Sequence, residues 1–591
     1  MEEGKVFSQS HALVKKWVKN NWLDGLRVDH PDGLREPGTY LRRLRSLAPE
    51  AWIVVEKILE PGECLPHDWP VAGTTGYDFL NQTNALFVNP ENERVLTAFY
   101  AEFTGERTDY DGLAHDKKRA ALDILFAAEI KRLVEILVQI AGRDWRWRDF
   151  TSEELRDAMT ELAACFPVYR TYGHTPKSTG QDSENWCIER AVASARLRKP
   201  DLPPEVFDML AEILPGGERG DCENEFAARF QQLTGPAMAK GVEDTAFYCF
   251  NRFVSLNEVG GDPGQFGAGP ESFHELCATQ QRTWPDTMLA SSTHDTKRGE
   301  DLRARLSVLS EIPAEWMAAV GRWAAMNKEH HRGDFPDPNA EYLFYQTLVG
   351  AWPISVERAM AYLEKAAREA KQHTNWSEPN AIYERSLREF VAAVMNTAVF
   401  MEDFEAFVAS IADAGFVNSL SQSLIKLTAP GVPDFYQGCE LWNFSLVDPD
   451  NRQPVDFELR RELLSQVKNL SAGEAWKRRA DGAPKLWMIR KILGLRAENP
   501  ALWAASQSYE PLFAWGVKRA LVVAFKRGAE FITVVPRLPL TLQNDWAGTT
   551  LDLPAGTWSN ALTDEGDYAQ SVPLSKLLGS FPVAVLTRKG I

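Results

Sequence analysis

Two short strand-like runs each have a carboxylate just beyond them. Gly25-Leu26-Arg27-Val28 leads into Asp29-His30, and Trp52-Ile53-Val54-Val55 leads into Glu56-Lys57. A helix-spaced stretch precedes each run: Phe7 to Asn21, with Leu13, Val14, Trp17 and Val18 on one face, and Thr39 to Leu47, with Tyr40, Leu41 and Leu44 opposite basic residues. Alternating helix and strand, with the second strand apolar throughout, is the rhythm of a buried parallel sheet. In a parallel barrel the functional side chains sit at the carboxyl ends of strands, and Asp29 and Glu56 hold that position one βα unit apart. A third run, Met288 to Ser292, ends at Thr293-His294-Asp295, and a fourth, Val432 to Tyr436, follows Pro430-Gly431.

The rest of the chain divides by texture. Helical periodicity dominates Arg94 to Gln232, for example Ala120 to Ile140, with breaks at Lys199 to Pro204 and Pro215 to Gly220. Glu300 to Ala429 is again helical. Beyond Asn499-Pro500 the pattern turns to β-type alternation in Leu521 to Phe525, Phe531 to Val535, Thr549 to Leu553 and Val583 to Leu586. These signals predict an α/β chain of (β/α)8 barrel type: barrel in 1–93, a helical insertion in 94–232, the remaining barrel with a second helical insertion in 233–499, and a terminal β-sandwich in 500–591.

Charge and cysteine usage narrow the partners. Lys plus Arg number 65 against 82 Asp plus Glu, a formal charge of −17 that disfavours nucleic acid and anionic membranes. No apolar run approaches the roughly 20 residues that span a bilayer, and Met1-Glu2-Glu3-Gly4-Lys5 lacks the pattern of a secretory signal, so a cytoplasmic location is expected. The seven cysteines are scattered, odd in number and never spaced as CxxC, so neither disulfides nor structural zinc are expected. No cofactor or other metal is expected either.

Three strand-end carboxylates suit glycoside chemistry of the retaining kind, which needs a nucleophile and an acid/base about 5 Å apart, while a third carboxylate can steady the cationic sugar. Arg27 shares a strand face with Asp29 and would aim and ionise it; a structural ion pair is the plainer alternative. Glu56, closing an apolar strand, should be raised toward the pKa of a general acid, unless it simply pairs with Lys57. The polar loop Thr293-His294-Asp295-Thr296-Lys297-Arg298 reads either as an active-site loop or as a helix start capped by Asp295. Asp24 and Asp32 are better explained as strand-opening and turn residues. Glu329-His330-His331 reads as a solvated face rather than a metal site.

Longer strings carry a resemblance. They include Glu56-Lys57-Ile58-Leu59, Leu65-Pro66-His67-Asp68-Trp69-Pro70 running to Tyr77-Asp78-Phe79, Phe166 to Tyr172, Met238 to Tyr248, Ser255 to Gly261, Ala429 to Gly438 and Leu446 to Arg452. The chain resembles the maltooligosyl trehalose synthase family of the α-amylase clan over nearly its whole length. The resemblance implies Asp29 as nucleophile, Glu56 as acid/base and Asp295 as transition-state stabiliser. Arg27 and His294 would support them, and His30 joins the substrate-binding residues. Lys240 and Lys297 would grip the departing glucose, and Tyr77 would stack on a sugar ring.

The implied reaction turns the reducing-end α-1,4 linkage of a maltooligosaccharide into an α,α-1,1 linkage by intramolecular transfer. A trehalohydrolase acting on the product is the implied pathway partner. A glucan hydrolase of the same clan, or an inactive fragment binding glucan or a complementing chain, are the alternatives. Four features depart from the family pattern. The clan's Asp-x-x-x-Asn-His string at the end of strand three does not occur, so the chain is expected to start near strand four, as a truncation, a misplaced start or a partner of a separately encoded amino-terminal segment. Cys249 and Gln453 stand where the family usually has Arg, and Asn443 where it has Asp, which should weaken local salt bridges.

Overall fold

The computed structural model describes residues 1–173, 181–215 and 220–589, so most of the predicted Pro215 to Gly220 break lies outside the described residues. The chain forms two compact units, Met1–Thr75 with Asp109–Tyr248, and Gly76–Thr108 with Cys249–Ile591.

In the first unit three parallel strands lie side by side: β1 (Gly25–Val28), β2 (Trp52–Val55) and β3 (Gly73–Thr74). β1 and β2 pair from Gly25 opposite Trp52 to Val28 opposite Val55. Ile53, Val54 and Val55 are fully buried, as a strand covered on both faces requires. Gly25 lets the strands close up, since a Cβ there would fall 2.8 Å from the Trp52 carbonyl. The helix Pro37–Leu47 makes the crossover and buries Leu41 and Leu44.

The helix predicted for Phe7 to Asn21 is two helices, Gly4–Ser10 and Ala12–Lys19. It breaks at His11, whose ring stacks on Phe7 and whose Nε2 lies 2.9 Å from the Tyr40 hydroxyl. The predicted Ala120 to Ile140 helix likewise breaks at Phe126, between Tyr110–Leu125 and Ala127–Ala141. These two pack with Ser152–Ala164, Gln181–Arg198, Pro204–Ile213 and Asp221–Met238 around one apolar core that includes Leu133, Leu155, Leu162, Phe207 and Phe230. The last helix continues as a π-helical stretch, Ala239–Ala246. There Gly241 meets the Lys118 backbone so closely that a Cβ would lie 2.5 Å from its Cα.

The second unit holds a short parallel pair, β4 (Met288–Leu289) and β5 (Val432–Pro433). Both are shorter than the runs that predicted them: beyond Leu289 the Ser291 carbonyl accepts the Arg303 guanidinium, and the last bond to β4 comes from the Asp434 N–H, which donates to the Leu289 carbonyl at 2.9 Å. A 31-residue helix, Ala398–Thr428, is buried from Asn418 to Thr428.

The terminal segment is antiparallel throughout. Its strands are β6 (Tyr509–Leu512), β7 (Ala514–Trp515), β8 (Val522–Arg527), β9 (Phe531–Pro536), β10 (Thr550–Asp552), β11 (Trp558–Asn560), β12 (Ser571–Pro573) and β13 (Ala584–Arg588). They form a five-stranded sheet, β11-β13-β9-β8-β6, and a three-stranded sheet, β12-β10-β7. Ile532, Val534 and Leu586 from the first sheet share a core with Ala514, Leu551 and Val572 from the second, which is sandwich packing.

Candidate active site

The parallel register of the first unit sets Asp29 and Glu56 side by side just beyond the paired residues Val28 and Val55, with the Glu56 N–H donating to the Val28 carbonyl at 2.8 Å. Arg27 reaches up the same strand face. Its Nη1 donates to Asp29 Oδ1 at 2.9 Å, and its Nη2 lies 3.5 Å from Glu56 Oε1. His30 adopts a left-handed conformation, φ 43 and ψ 56, and its backbone N–H donates to Glu56 Oε2 at 2.9 Å.

Burial pushes the Glu56 carboxyl up to about 7, against the His30 N–H and Arg27, which favour its charged form. A hydrogen bond shared with Asp29 and the charge of that neighbour push in the same direction as burial. The side chain of Asp29 is 69% exposed and that of Glu56 16%, so the two carboxyls differ sharply in access to water. The alternative pairing of Glu56 with Lys57 is overturned. Lys57 points the other way, is wholly buried, and pairs with Glu63 at 2.7 Å and Asp32 at 3.3 Å. Asp32 is therefore a buried ion-pair partner and no mere turn residue.

In the second unit the loop after β4 carries His294 and Asp295. His294 Nε2 lies 3.0 Å from Asp295 Oδ2, Arg452 Nη2 lies 3.8 Å from Asp295 Oδ1, and the Asn451 amide donates to the His294 carbonyl at 3.0 Å. The turn is held by Thr293, whose Oγ1 accepts the Asp295 N–H at 3.1 Å and meets the Tyr77 hydroxyl at 2.9 Å. Asp295 does not cap a helix: the following helix, Glu300–Ser307, starts after Gly299.

Tyr77 is a correction to the sequence reading. It is 1% exposed, so it offers no face to a sugar and instead braces the loop. Lys297 is buried, not a surface lysine, and its N–H donates to Glu258 at 2.6 Å. Lys240, in the π-helical stretch of the first unit, is exposed and paired with Asp244 at 2.7 Å.

Sequence reasoning missed the polar core beneath this loop. Glu258, with no exposed surface, accepts the backbone N–H groups of Val259, Lys297 and Arg298 and the Arg303 guanidinium at 2.9 Å. Glu300, Asp301, Lys426 and Lys485 form a second buried cluster. Lys485 lies 2.6 Å from Glu300 and 2.7 Å from Asp301, and Lys426 lies 3.5 Å from Glu300 and 2.6 Å from the Ser291 hydroxyl. The only local cue was the place of Glu258 in the string Ser255-Leu256-Asn257-Glu258-Val259, just before Gly260-Gly261.

The departures from the family pattern are accommodated. The Cys249 thiol donates to the Ala370 carbonyl, the Asn443 side chain accepts the Ser445 N–H at 3.0 Å, and the Gln453 amide donates to Asp450 at 3.0 Å. Among the described residues, His115, Glu161 and Cys165 bring donor atoms within 4.8 Å of one another. Arg119 already neutralises Glu161, donating at 3.0 Å. No helix among the described residues is long and apolar enough to cross a membrane.

A carboxyl poised near neutrality beside an exposed carboxylate, both reached by one guanidinium at the ends of neighbouring parallel strands, is the equipment of a retaining carbohydrate-active enzyme. Comparison with known proteins narrows this class. No family model matches the chain. A protein of Mycobacterium tuberculosis H37Rv, named provisionally as a maltooligosyl trehalose synthase, is 38% identical over 597 residues, covering 99% of this chain and 72% of the relative.

Among solved structures, maltooligosyltrehalose synthase from Arthrobacter ramosus is 36% identical with a TM-score of 0.88, covering 100% of this chain and 73% of that one. A structure described as a DSM5389 glycosyltrehalose synthase is 34% identical with a TM-score of 0.78, covering 100% and 70%. The chain belongs to the maltooligosyl trehalose synthase family.

Proposed function

We propose that this chain converts the reducing-end α-1,4 linkage of a maltooligosaccharide into an α,α-1,1 linkage, by intramolecular transfer with two displacements at one anomeric carbon. The observation that carries the reading is the Asp29–Glu56 pair, with Glu56 held near pH 7 at the end of a buried strand. Glu56 gives its proton to the glycosidic oxygen as Asp29 attacks the anomeric carbon, so the C–O bond breaks and a glycosyl-enzyme forms. The freed glucose turns without leaving. Glu56, now a base, takes the proton of its anomeric hydroxyl, and that oxygen displaces Asp29.

Asp295 steadies the cationic sugar, with Arg27 and His294 in support. His30, Lys240 and Lys297 are assigned to substrate. Water is outcompeted because the bound glucose has a far higher effective concentration at the reacting carbon. The parallel strands β1 to β5 are read as part of a (β/α)8-type barrel within 1–93 and 233–499, flanked by the helical 94–232 and the terminal sandwich. The product suits a hydrolase that cuts trehalose from its end, and seven scattered cysteines, none spaced as CxxC, suit a cytoplasmic setting.

The test is to trap the intermediate. Glu56→Gln incubated with maltotriosyl fluoride, whose leaving group needs no acid, should accumulate a covalent adduct that peptide mass spectrometry assigns to Asp29. No adduct, or an adduct on another carboxylate, would contradict the assignment.

A further inference from the structure

We propose that Lys57 is a positioning residue for Glu56, acting through Asp32 and the turn that carries His30. The inference rests on Glu56 being the proton-transferring group. Successive side chains of an extended segment point to opposite sides, so Glu56 faces the exposed strand end while Lys57 enters the interior. Lys57 has no exposed surface, and it bridges the connection after β1, at Asp32, to the connection after β2, at Glu63. The rings of Tyr169 and Tyr172 flank its ammonium at 5.8 and 5.9 Å.

Asp32 sits in the 3-10 turn Pro31–Gly33, directly after His30. That turn is tied down from a distant part of the chain. The Arg170 guanidinium donates to the carbonyls of Asp32 (2.6 Å), Leu34 and Arg35 (2.7 Å), and the Tyr172 hydroxyl donates to Asp32 Oδ1. Gly33 completes the fit, because a Cβ there would fall 2.6 Å from Cδ2 of the His30 ring.

The consequence lies at Glu56, which is faced by Arg27, by Asp29 and by the His30 N–H. Of these, the N–H is delivered by the turn that Lys57 holds. Burial works against the Lys57 charge, but Asp32 and Glu63 outweigh it and hold its pKa above the ordinary value, so it stays an ammonium throughout the working pH range. Without that cation Asp32 and Glu63 are two buried carboxylates in one pocket. They must separate or take up protons, and either response releases the turn and its N–H from Glu56.

The experiment compares kcat and KM for maltopentaose from pH 5 to 9 in the wild type, Lys57→Met, Lys57→Arg, Tyr172→Phe and Glu56→Gln. Lys57→Met should lower kcat about 10- to 100-fold, the scale of a misplaced catalytic group. KM should stay within about threefold, since Lys57 has no exposed surface to offer a substrate. Its alkaline limb should move up by about half a pH unit or more, because Glu56 loses a donor that favours its charged form.

Tyr172→Phe, which removes only the hydroxyl on Asp32, should move the limb the same way by less, and Lys57→Arg should restore part of kcat. An unmoved limb in both Tyr172→Phe and a folded Lys57→Met, with folding checked by near-ultraviolet dichroism, overturns the proposal. If Lys57→Met does not fold, Tyr172→Phe decides alone. Full activity in Glu56→Gln would instead sink the reading of Glu56, whereas an inactive Glu56→Gln with unmoved limbs sinks only the role of Lys57.

Discussion

Replacing Lys485 with Met isolates what the buried ionic cluster under the His294–Asp295 loop does. The Lys485 ammonium has no exposed surface and serves Glu300, both oxygens of Asp301 and the Leu441 carbonyl. Without it two fully buried carboxylates share one remaining cation, Lys426, 3.5 Å from Glu300. Breaking a buried pair by deleting one partner costs about 3–5 kcal/mol. At about 2–4 °C per kcal/mol this lowers the melting transition by about 6 to 20 °C, toward the lower end for a unit of this size.

The deficit should depend on pH with a definite sign. Burial opposes the Glu300 charge, but Lys426 and Lys485 outweigh it and pull its pKa down to about 2. Its stabilising contribution is therefore present above the ordinary carboxylate range and fades as the pH falls toward 2. In Lys485→Met both carboxylates titrate higher, so acid relieves the damage. Calorimetric scans should show a large deficit at pH 7.5 and a smaller one at pH 5. A deficit under about 1 kcal/mol, or one equal at both pH values, would refute the reasoning. Activity should fall as well, since the Ser292 hydroxyl that accepts the Glu300 N–H at 2.9 Å belongs to the segment leading into the His294–Asp295 loop.

Three further outcomes follow from the geometry. The kcat/KM of the wild type should fall as pH rises through about 7, where Glu56 loses its proton, and Glu56→Gln should abolish that limb with a loss of about 10²–10⁴-fold. Arg27→Ala removes a cation that favours charged Glu56, so its limb should shift upward and kcat drop, read in the same pH series. Gly76→Ala places a Cβ 2.6 Å from backbone atoms of both Met288 and Ala290 at a φ of +90, and should destabilise the second unit by about 1–3 kcal/mol, measured by thermal unfolding.

What the sequence made legible was local. Trp52 to Val55 reads as a buried strand because four apolar residues end abruptly at a charge, and the register then places Asp29 beside Glu56 as two adjacent parallel strands must. Gly25, one residue from Asp24, gives no such cue, yet it sets how closely the strands approach. β3 is two residues long and carries too little pattern to be seen.

The partners of Lys57 could not be read either. Glu56 and Lys57 are neighbours in sequence, which favours the wrong pairing, and only the pleat separates them. Tyr77 looks like a sugar platform because aromatic residues do both jobs, and its hydroxyl meets Thr293, more than two hundred positions away. The Glu258 and Glu300 clusters are likewise built from contacts of long sequence separation, where no window of local pattern reaches.

Product analysis with maltopentaose reads the transfer itself. Purified chain is incubated with the sugar while reducing ends, free glucose and non-reducing product are each quantified over time. Reducing ends should disappear in step with the appearance of a non-reducing pentasaccharide, with little glucose released. A rise in reducing ends, with glucose and maltotetraose as the main products, would contradict the transfer by showing that water and not the bound glucose takes the glycosyl group.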